Sequence, residues 1–266
     1  TRFRNGSSPI HTLVMSSCQM LTAKALMYLS YVPTLQSLNI SYCHQFSDGD
    51  IAEHLPRTIT CLNVSGCAQL TDQAFSCLRQ MKLKRLDVSY LSQITDETFE
   101  RHVPHGSLTH LRMVYCGGVT DRAFECLRGS IQCLDMSGCS QSTVTDDAFD
   151  HLRGTIQVLR MNYCSQETIT DRAFTQLKGT IRELCMYRCH QRGITDEAMC
   201  AIGDSVRLLH IDHGNYTALV TKKSMPFAKR IPRVIYNPGR WSHWDRTSES
   251  TTRKKTVGQL RKRLLD

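Results

Sequence analysis

The sequence predicts an α/β solenoid, in which short strand–turn–helix units stack on one another. The phrase CAQLTDQAF at Cys67 returns as CGGVTDRAF at Cys116 and as CSQETITDRAF at Cys164. An aliphatic residue eight places before each such cysteine recurs every 23–25 residues, which gives nine unit starts from Ile10 to Val206. Self-similarity at this period is typical of repeat architectures, whose units bury their apolar sides only by stacking.

The first element of each unit is a short β-strand. A leucine lies three residues after the unit start, and Met, Ile or Val follows two residues later, as in Leu111 and Met113. Side chains two residues apart leave the same face of a strand. The spacing therefore predicts one buried strand face in every unit.

A helix follows the cysteine of each unit. Thr-Asp precedes Ala, Phe and Leu, as in Ala123, Phe124 and Leu127, and these offsets place the three apolar residues on one helical stripe. The threonine is placed to cap the helix. The aspartate in the first turn favours the positive end of the helix dipole.

The combined pattern L-x-x-L-x-[LMIV]-x-x-C-x-x-[LIV]-T-D resembles that of cysteine-containing leucine-rich repeats. It is similar to the pattern in the repeat regions of F-box/LRR proteins. The resemblance covers about Ile10 to Asp212. It implies a horseshoe with a parallel sheet on the concave face and helices on the convex face. We expect an N-terminal extension at residues 1–9, a solenoid of about nine units at 10–221, and a basic C-terminal cap and tail at 222–266. Units six to eight carry two extra residues before Thr-Asp, which we expect in a loop at one edge of the sheet.

The repeated cysteines are predicted to be structural. A nucleophile is needed once per site, whereas this position recurs, and Leu91 and Gly214 replace the cysteine in two units. The 13 cysteines include no C-x-x-C pair, which argues against a zinc finger or a complete disulfide framework. We expect inward-facing thiols that donate weakly to backbone, as in a protein of a reducing intracellular compartment such as cytoplasm, nucleus or organelle matrix.

No enzyme, cofactor or metal is predicted. The chain contains no phosphate-binding glycine loop, no G-x-S-x-G and no H-E-x-x-H motif. His210, Asp212 and His213 offer metal-binding groups near the last predicted strand, but we expect them to be exposed polar residues at its edge. No apolar run of membrane-spanning length and no signal peptide is recognisable, so no membrane is expected as a partner.

The net positive charge of the chain comes from its C-terminal segment. Residues 222–266 hold 13 Lys and Arg against 3 Asp and Glu, a net of +10, which leaves 20 basic and 21 acidic residues in the other 221. Within it, the segment from Thr256 to Leu265 is predicted to form a short amphipathic basic helix. The tail is predicted to be solvated, to dock on an acidic protein surface, or to contact RNA. The candidate contact residues are Arg240, Trp241, Trp244, Arg253, Lys254, Lys255, Arg261, Lys262 and Arg263.

A protein-binding face is predicted on the concave side of the sheet. Tyrosines and arginines, the residue types enriched at interface hot spots, recur beside the cysteines and between the strand apolar residues. The candidates are Tyr42, Arg85, Tyr90, Arg112, Tyr115, Arg160, Tyr163, Tyr187 and Arg188. An alternative is that arginines and aspartates on adjacent strands pair with each other, and that the tyrosines pack together.

These features predict a non-enzymatic protein-interaction scaffold, which serves as a structural or adaptor subunit of a larger complex. The resemblance also implies a substrate-recognition module of an SCF-type ubiquitin ligase, although the nine residues before Ile10 are too few for an F-box. A third hypothesis is a ribonucleoprotein subunit whose basic tail contacts RNA.

Overall fold

The computed structural model describes residues 9–189, 191–212, 219, 221 and 223–236. It comprises two compact units, Thr1–Ile131 and Gln132–Asp266. In both units short parallel strands alternate with helices, which confirms the predicted α/β leucine-rich-repeat solenoid. Among the described residues, no helix combines the length and the apolar character that crossing a membrane requires.

The first unit contains five strands, β1 to β5, within the part of the chain that the structure describes. Its elements in chain order are β1 Thr12–Val14, α1 Ala23–Leu29, β2 Ser37–Asn39, α2 Asp48–His54, β3 Cys61–Asn63, a 3₁₀ helix Asp72–Gln80, β4 Arg85–Asp87, a π-helical turn Thr98–His102, β5 His110–Arg112 and α3 Asp121–Cys126.

The second unit repeats this alternation. Its described elements are β6 Cys133–Asp135, α4 Asp146–His151, β7 Val158–Arg160, α5 Asp171–Gln176, β8 Glu183–Cys185, α6 Asp196–Ile202, β9 Leu208–Ile211, α7 Met225–Ala228 and β10 Arg233–Tyr236.

The strand leucines of each unit lie side by side. In the first unit Leu38 pairs in register with Leu62, and Leu86 with Leu111; in the second, Leu159 pairs with Leu184. These side chains are almost fully buried, as is the phenylalanine that follows Thr-Asp-x-Ala. The period-two strand face and the helical stripe predicted from sequence therefore form the core.

The repeated cysteines line this core, as predicted. Cys18 in the first repeat is exposed, whereas buried repeat thiols donate to a backbone carbonyl of the preceding repeat, with Sγ–O distances of 3.2 Å from Cys67 to Ile40 and 3.3 Å from Cys164 to Met136. All 13 cysteines, which lie within the described residues, are free thiols. Leu91 is fully buried at the equivalent position. An apolar side chain therefore serves where a thiol otherwise packs.

The Thr-Asp pairs connect successive repeats. Threonine caps its own helix as predicted: the Thr71 hydroxyl accepts from the backbone N–H of Gln73. Aspartate has a role beyond the predicted dipole interaction, because Asp72 accepts from the backbone N–H and the hydroxyl of Thr95 in the next repeat, at 2.9 and 2.8 Å. In the same way, the Asp171 carboxylate accepts from the backbone N–H and the hydroxyl of Thr195 in the next repeat. We call this set of contacts the Asp–Thr ladder.

A tenth strand lies inside the segment assigned to the cap. β10 pairs in parallel with β9 and places Val234 opposite Leu209. Strand–helix alternation therefore extends to Tyr236, past the predicted end of the repeats at residue 221. The predicted boundary between a solenoid at 10–221 and a cap and tail at 222–266 remains a proposal.

The longer loops of the second unit lie between strand and helix, where the extra residues were expected. They bury Gln166 and Gln191, each two residues after a repeat cysteine. The repeat pattern alone gives no indication that these amides enter the protein interior.

Candidate functional site

The residue before each repeat cysteine lies in the turn that follows a strand, and its backbone is left-handed. The φ angles are 57° at Tyr42, 63° at Tyr90, 57° at Tyr115 and 59° at Tyr163. Residues with a Cβ adopt this conformation at a cost of about 1–2 kcal/mol, whereas glycine adopts it freely. Gly66, with φ 71°, occupies the same position in its own repeat.

These four tyrosines are also exposed. Between 44% and 50% of each residue surface is accessible, although tyrosine rings bury well in protein interiors. We refer to Tyr42, Tyr90, Tyr115 and Tyr163 as the edge tyrosines. Each edge tyrosine therefore combines a strained backbone with a solvent-exposed side chain.

In the first unit two edge tyrosines contact each other. The rings of Tyr90 and Tyr115 stack with centroids 5.4 Å apart and planes inclined by 30°. The ring of Tyr42 lies over Gly66, where an added Cβ would come within 2.5 Å of the ring carbons. The φ angle therefore favours glycine at position 66, and the Tyr42 ring leaves no room there for a side chain.

In the second unit an aromatic and cationic cluster surrounds Tyr163. Its ring meets that of Tyr187 edge to face, with centroids 5.7 Å apart. The Arg188 guanidinium carbon lies 5.9 Å from the Tyr163 centroid and 5.6 Å from the Tyr187 centroid. Arg188 is exposed and also left-handed. The structure therefore brings together three of the predicted partner-binding residues.

The strand arginines follow the alternative interpretation, in which adjacent strands pair their charges. Arg112 donates to Asp87 at 3.2 Å, and Arg160 donates to Glu183 at 2.6 Å. Arg160 is only 8% exposed, which leaves it little surface for a partner. Arg85, by contrast, is exposed on β4.

The Arg160 guanidinium keeps its charge in this buried setting. Burial by itself would lower its pKa, but the negative charge of Glu183 and the neighbouring Cys185, Cys133 and Asp135 raises it above the ordinary value. Arg160 also donates to the Cys133 sulfur at 3.6 Å. This arginine is thus part of a charged network within the second unit.

Burial makes the repeat thiols poor nucleophiles. Desolvation raises the pKa of Cys67 to about 11 and that of Cys189 to about 12. Because the thiolate is the reactive form, these groups are inert near neutral pH. Their chemistry agrees with a packing role.

His210 contradicts its predicted position at an exposed edge. It lies on β9 and is 1% exposed, and one of its ring nitrogens lies within 4.8 Å of the Cys185 sulfur and of a Glu183 carboxylate oxygen. Asp212 accepts the backbone N–H of Arg188 at 2.7 Å. His213 lies outside the described residues, as do all nine predicted tail contacts from Arg240 to Arg263.

Comparison with known proteins yields matches at the level of structure alone. No family model and no curated protein sequence matches this chain. Rad7, solved as a Rad7–Elc1 complex in yeast, matches with a TM-score of 0.54 and 16% identity, covering 81% of this chain and 65% of the Rad7 chain. This chain therefore spans less than two thirds of that neighbour.

Two other solved structures resemble the chain. The leucine-rich-repeat protein LegL7 from Legionella pneumophila gives a TM-score of 0.54 at 12% identity, covering 88% of this chain and 84% of LegL7. TLR13, in complex with ssRNA13, gives 0.50 at 19% identity, covering 82% and 27% of the two chains. At these identities the likeness establishes the leucine-rich-repeat fold.

Proposed function

We propose that this chain is a non-enzymatic protein-interaction scaffold, a structural or adaptor subunit that binds its partner through the edge tyrosines and the neighbouring Arg188. The observation that carries the proposal is the left-handed backbone of exposed tyrosines at positions where glycine would be unstrained. Backbone strain of this kind concentrates at functional sites. Tyrosine and arginine are also the residues that contribute most at interface hot spots.

The preorganisation of these side chains favours binding. Stacking of Tyr90 on Tyr115, and the contacts of Arg188 with Tyr163, restrict the side chains before a partner arrives. Binding to ordered side chains loses less conformational entropy than binding to mobile ones. The neighbour Rad7 was itself solved with a protein partner, which is consistent with an interaction role for this fold.

The test replaces Tyr90, Tyr115 and Tyr163 together by glycine, the residue that their backbone angles accommodate. The partner is the protein that co-purifies stoichiometrically with the native chain, produced separately for a binding titration. We expect the dissociation constant to rise at least about 30-fold, since a hot-spot loss is about 2 kcal/mol or more. The control changes two other exposed tyrosines, Tyr28→Ser and Tyr31→Ser, which lie in and just after α1.

Two outcomes would contradict the proposal. One is an unchanged dissociation constant in a triple variant whose far-ultraviolet circular dichroism matches that of the native chain. The other is an equal loss of affinity in the helix-side control. The first result would place the interface away from the edge tyrosines, and the second would show that the loss of affinity is not specific to them.

A second candidate function is RNA contact through the tail, and the charge distribution favours it. Residues 237–266 hold 8 basic and 3 acidic side chains, a net of +5 beyond the last described strand. The test compares binding of a single-stranded RNA by the full chain and by a chain ending at Tyr236. We expect binding by the full chain to weaken steeply with salt and to vanish on truncation. Equal RNA binding by both chains would exclude the tail as its site.

A further inference from the structure

Three metal-binding side chains converge on β8 and β9. Glu183 and Cys185 flank Leu184, so they leave the same face of β8, and Cys185 is in register with His210 on β9. Their carboxylate oxygen, sulfur and ring nitrogen lie within 4.8 Å of one another. Cys185 does not occupy the repeated cysteine position, so the packing role of that position does not explain it.

We propose that Glu183, Cys185 and His210 form a binding site for a divalent cation of the zinc type. Thiolate, imidazole and carboxylate are the three protein ligand types that zinc combines in tetrahedral sites. Ligand bonds of about 2.0–2.3 Å place neighbouring tetrahedral ligands roughly 3.6 Å apart. The ligand atoms therefore need to approach one another by about 1 Å, and rotations of the Glu183 and His210 side chains would bring them to that distance.

The charges around the three ligands favour an occupied site. His210 is 1% and Cys185 5% exposed, and Arg160 holds one carboxylate oxygen of Glu183 at 2.6 Å. A ligating carboxylate is normally oriented by a hydrogen bond of this kind. With Asp135 nearby, two carboxylates and one guanidinium leave a formal charge of −1. A divalent cation and the Cys185 thiolate would bring the group to neutrality.

The ligand set leaves one coordination position open. Three protein ligands plus water, or plus a donor from a bound molecule, complete tetrahedral zinc. The proposal does not rest on the protein-interaction function, because the three ligands belong to the strands and not to the edge tyrosines.

The test is a titration of the metal-stripped full-length chain with Co²⁺, which substitutes for zinc and reports its ligands by absorption. We expect one equivalent to bind, with a sulfur-to-cobalt charge-transfer band and tetrahedral ligand-field bands that Zn²⁺ displaces. Cys185→Ser should abolish the charge-transfer band, while Glu183→Gln and His210→Gln should weaken binding at least 10-fold. Cys200→Ser, a partly exposed thiol on α6, is the matched control and should leave the spectrum unchanged.

The outcomes are decisive in both directions. Absence of Co²⁺ binding, binding without the sulfur band, or an unchanged band in Cys185→Ser would overturn the proposal. Circular dichroism verifies that each variant is folded. Should Cys185→Ser fail to fold, Glu183→Gln decides, because its side chain is 19% exposed and similar in volume, and unaltered Co²⁺ affinity there would also refute the site.

Discussion

Replacement of Tyr115 by alanine and by glycine separates backbone strain from ring packing. Tyr115 has a φ angle of 57° and stacks on Tyr90. Both substitutions remove the ring, so both lose the same stacking contact. Alanine keeps a Cβ in the left-handed region, however, whereas glycine relieves the strain there.

The magnitudes follow from these two differences. Loss of the ring pair costs about 0.5–1.5 kcal/mol in either variant. Glycine recovers about 1–2 kcal/mol of left-handed strain and loses about 0.5–1 kcal/mol to the greater freedom of its unfolded chain. We therefore expect Tyr115→Gly to be more stable than Tyr115→Ala by about 0.8 kcal/mol.

Urea unfolding followed by circular dichroism measures this difference. The control is the same pair of substitutions at Glu125, an exposed residue on α3 beyond its first turn, where the order should invert because glycine is about 1 kcal/mol worse than alanine inside a helix. If Tyr115→Ala proved as stable as Tyr115→Gly, the edge tyrosines would be unstrained, and the argument that they are retained for binding would fail.

Three further predictions concern the interior. Asp72→Ala should destabilise the chain by about 3 kcal/mol in urea, because it leaves ladder donors of the next repeat unpaired, and Asp72→Asn should cost less. Burial raises the pKa of Cys67 to about 11 from 9.0, so the folded state retains a proton that the unfolded chain loses, and stability should fall as pH rises from about 9 to 11. Urea unfolding midpoints between about pH 9 and 11 test this prediction. An equally large loss of stability in Cys67→Ala would refute the attribution to Cys67. Arg160→Ala should destabilise by about 2 kcal/mol, more than Glu183→Gln, because it leaves the Glu183 carboxylate without its cation, whereas the amide introduced by Glu183→Gln can still accept a hydrogen bond from Arg160; the reverse order in urea would contradict this.

The repeat core could be predicted from sequence because its signals are periodic. The strand leucine, such as Leu111, and the helix phenylalanine, such as Phe124, recur at fixed offsets in the repeats. The strand and helix periods assign both positions to the buried side. The same arithmetic could have found β10, since Ile231 lies 25 residues after Val206 and Val234 occupies the leucine position. The prolines and the missing Thr-Asp of that segment obscured it.

Contacts between repeats were less accessible to sequence reasoning. Asp72 satisfies the local expectation for a helix first turn, and only the stacking geometry shows that it also holds Thr95 of the next repeat. Likewise, the pairing of Arg160 with Glu183 depends on side-chain reach across adjacent strands. Such choices are set by three-dimensional packing and leave no periodic trace.

The candidate site was visible in part. The alternation of tyrosine with Gly66 and Gly138 at one repeat position was the signal for a left-handed backbone, because glycine favours that conformation. Convergence of Glu183, Cys185 and His210 followed from strand register, since all three flank the central leucines of β8 and β9. Without an assigned register, the histidine was predicted to be exposed.

Site-specific photo-crosslinking tests the central claim most directly. A photoreactive phenylalanine derivative is placed at Tyr115 or Tyr163, or at Arg122 on the helical side, and the complex is irradiated. We predict that the two edge positions crosslink to the same partner protein and that Arg122 does not. Crosslinking from Arg122 alone, or from all three positions alike, would contradict a partner held by the edge tyrosines.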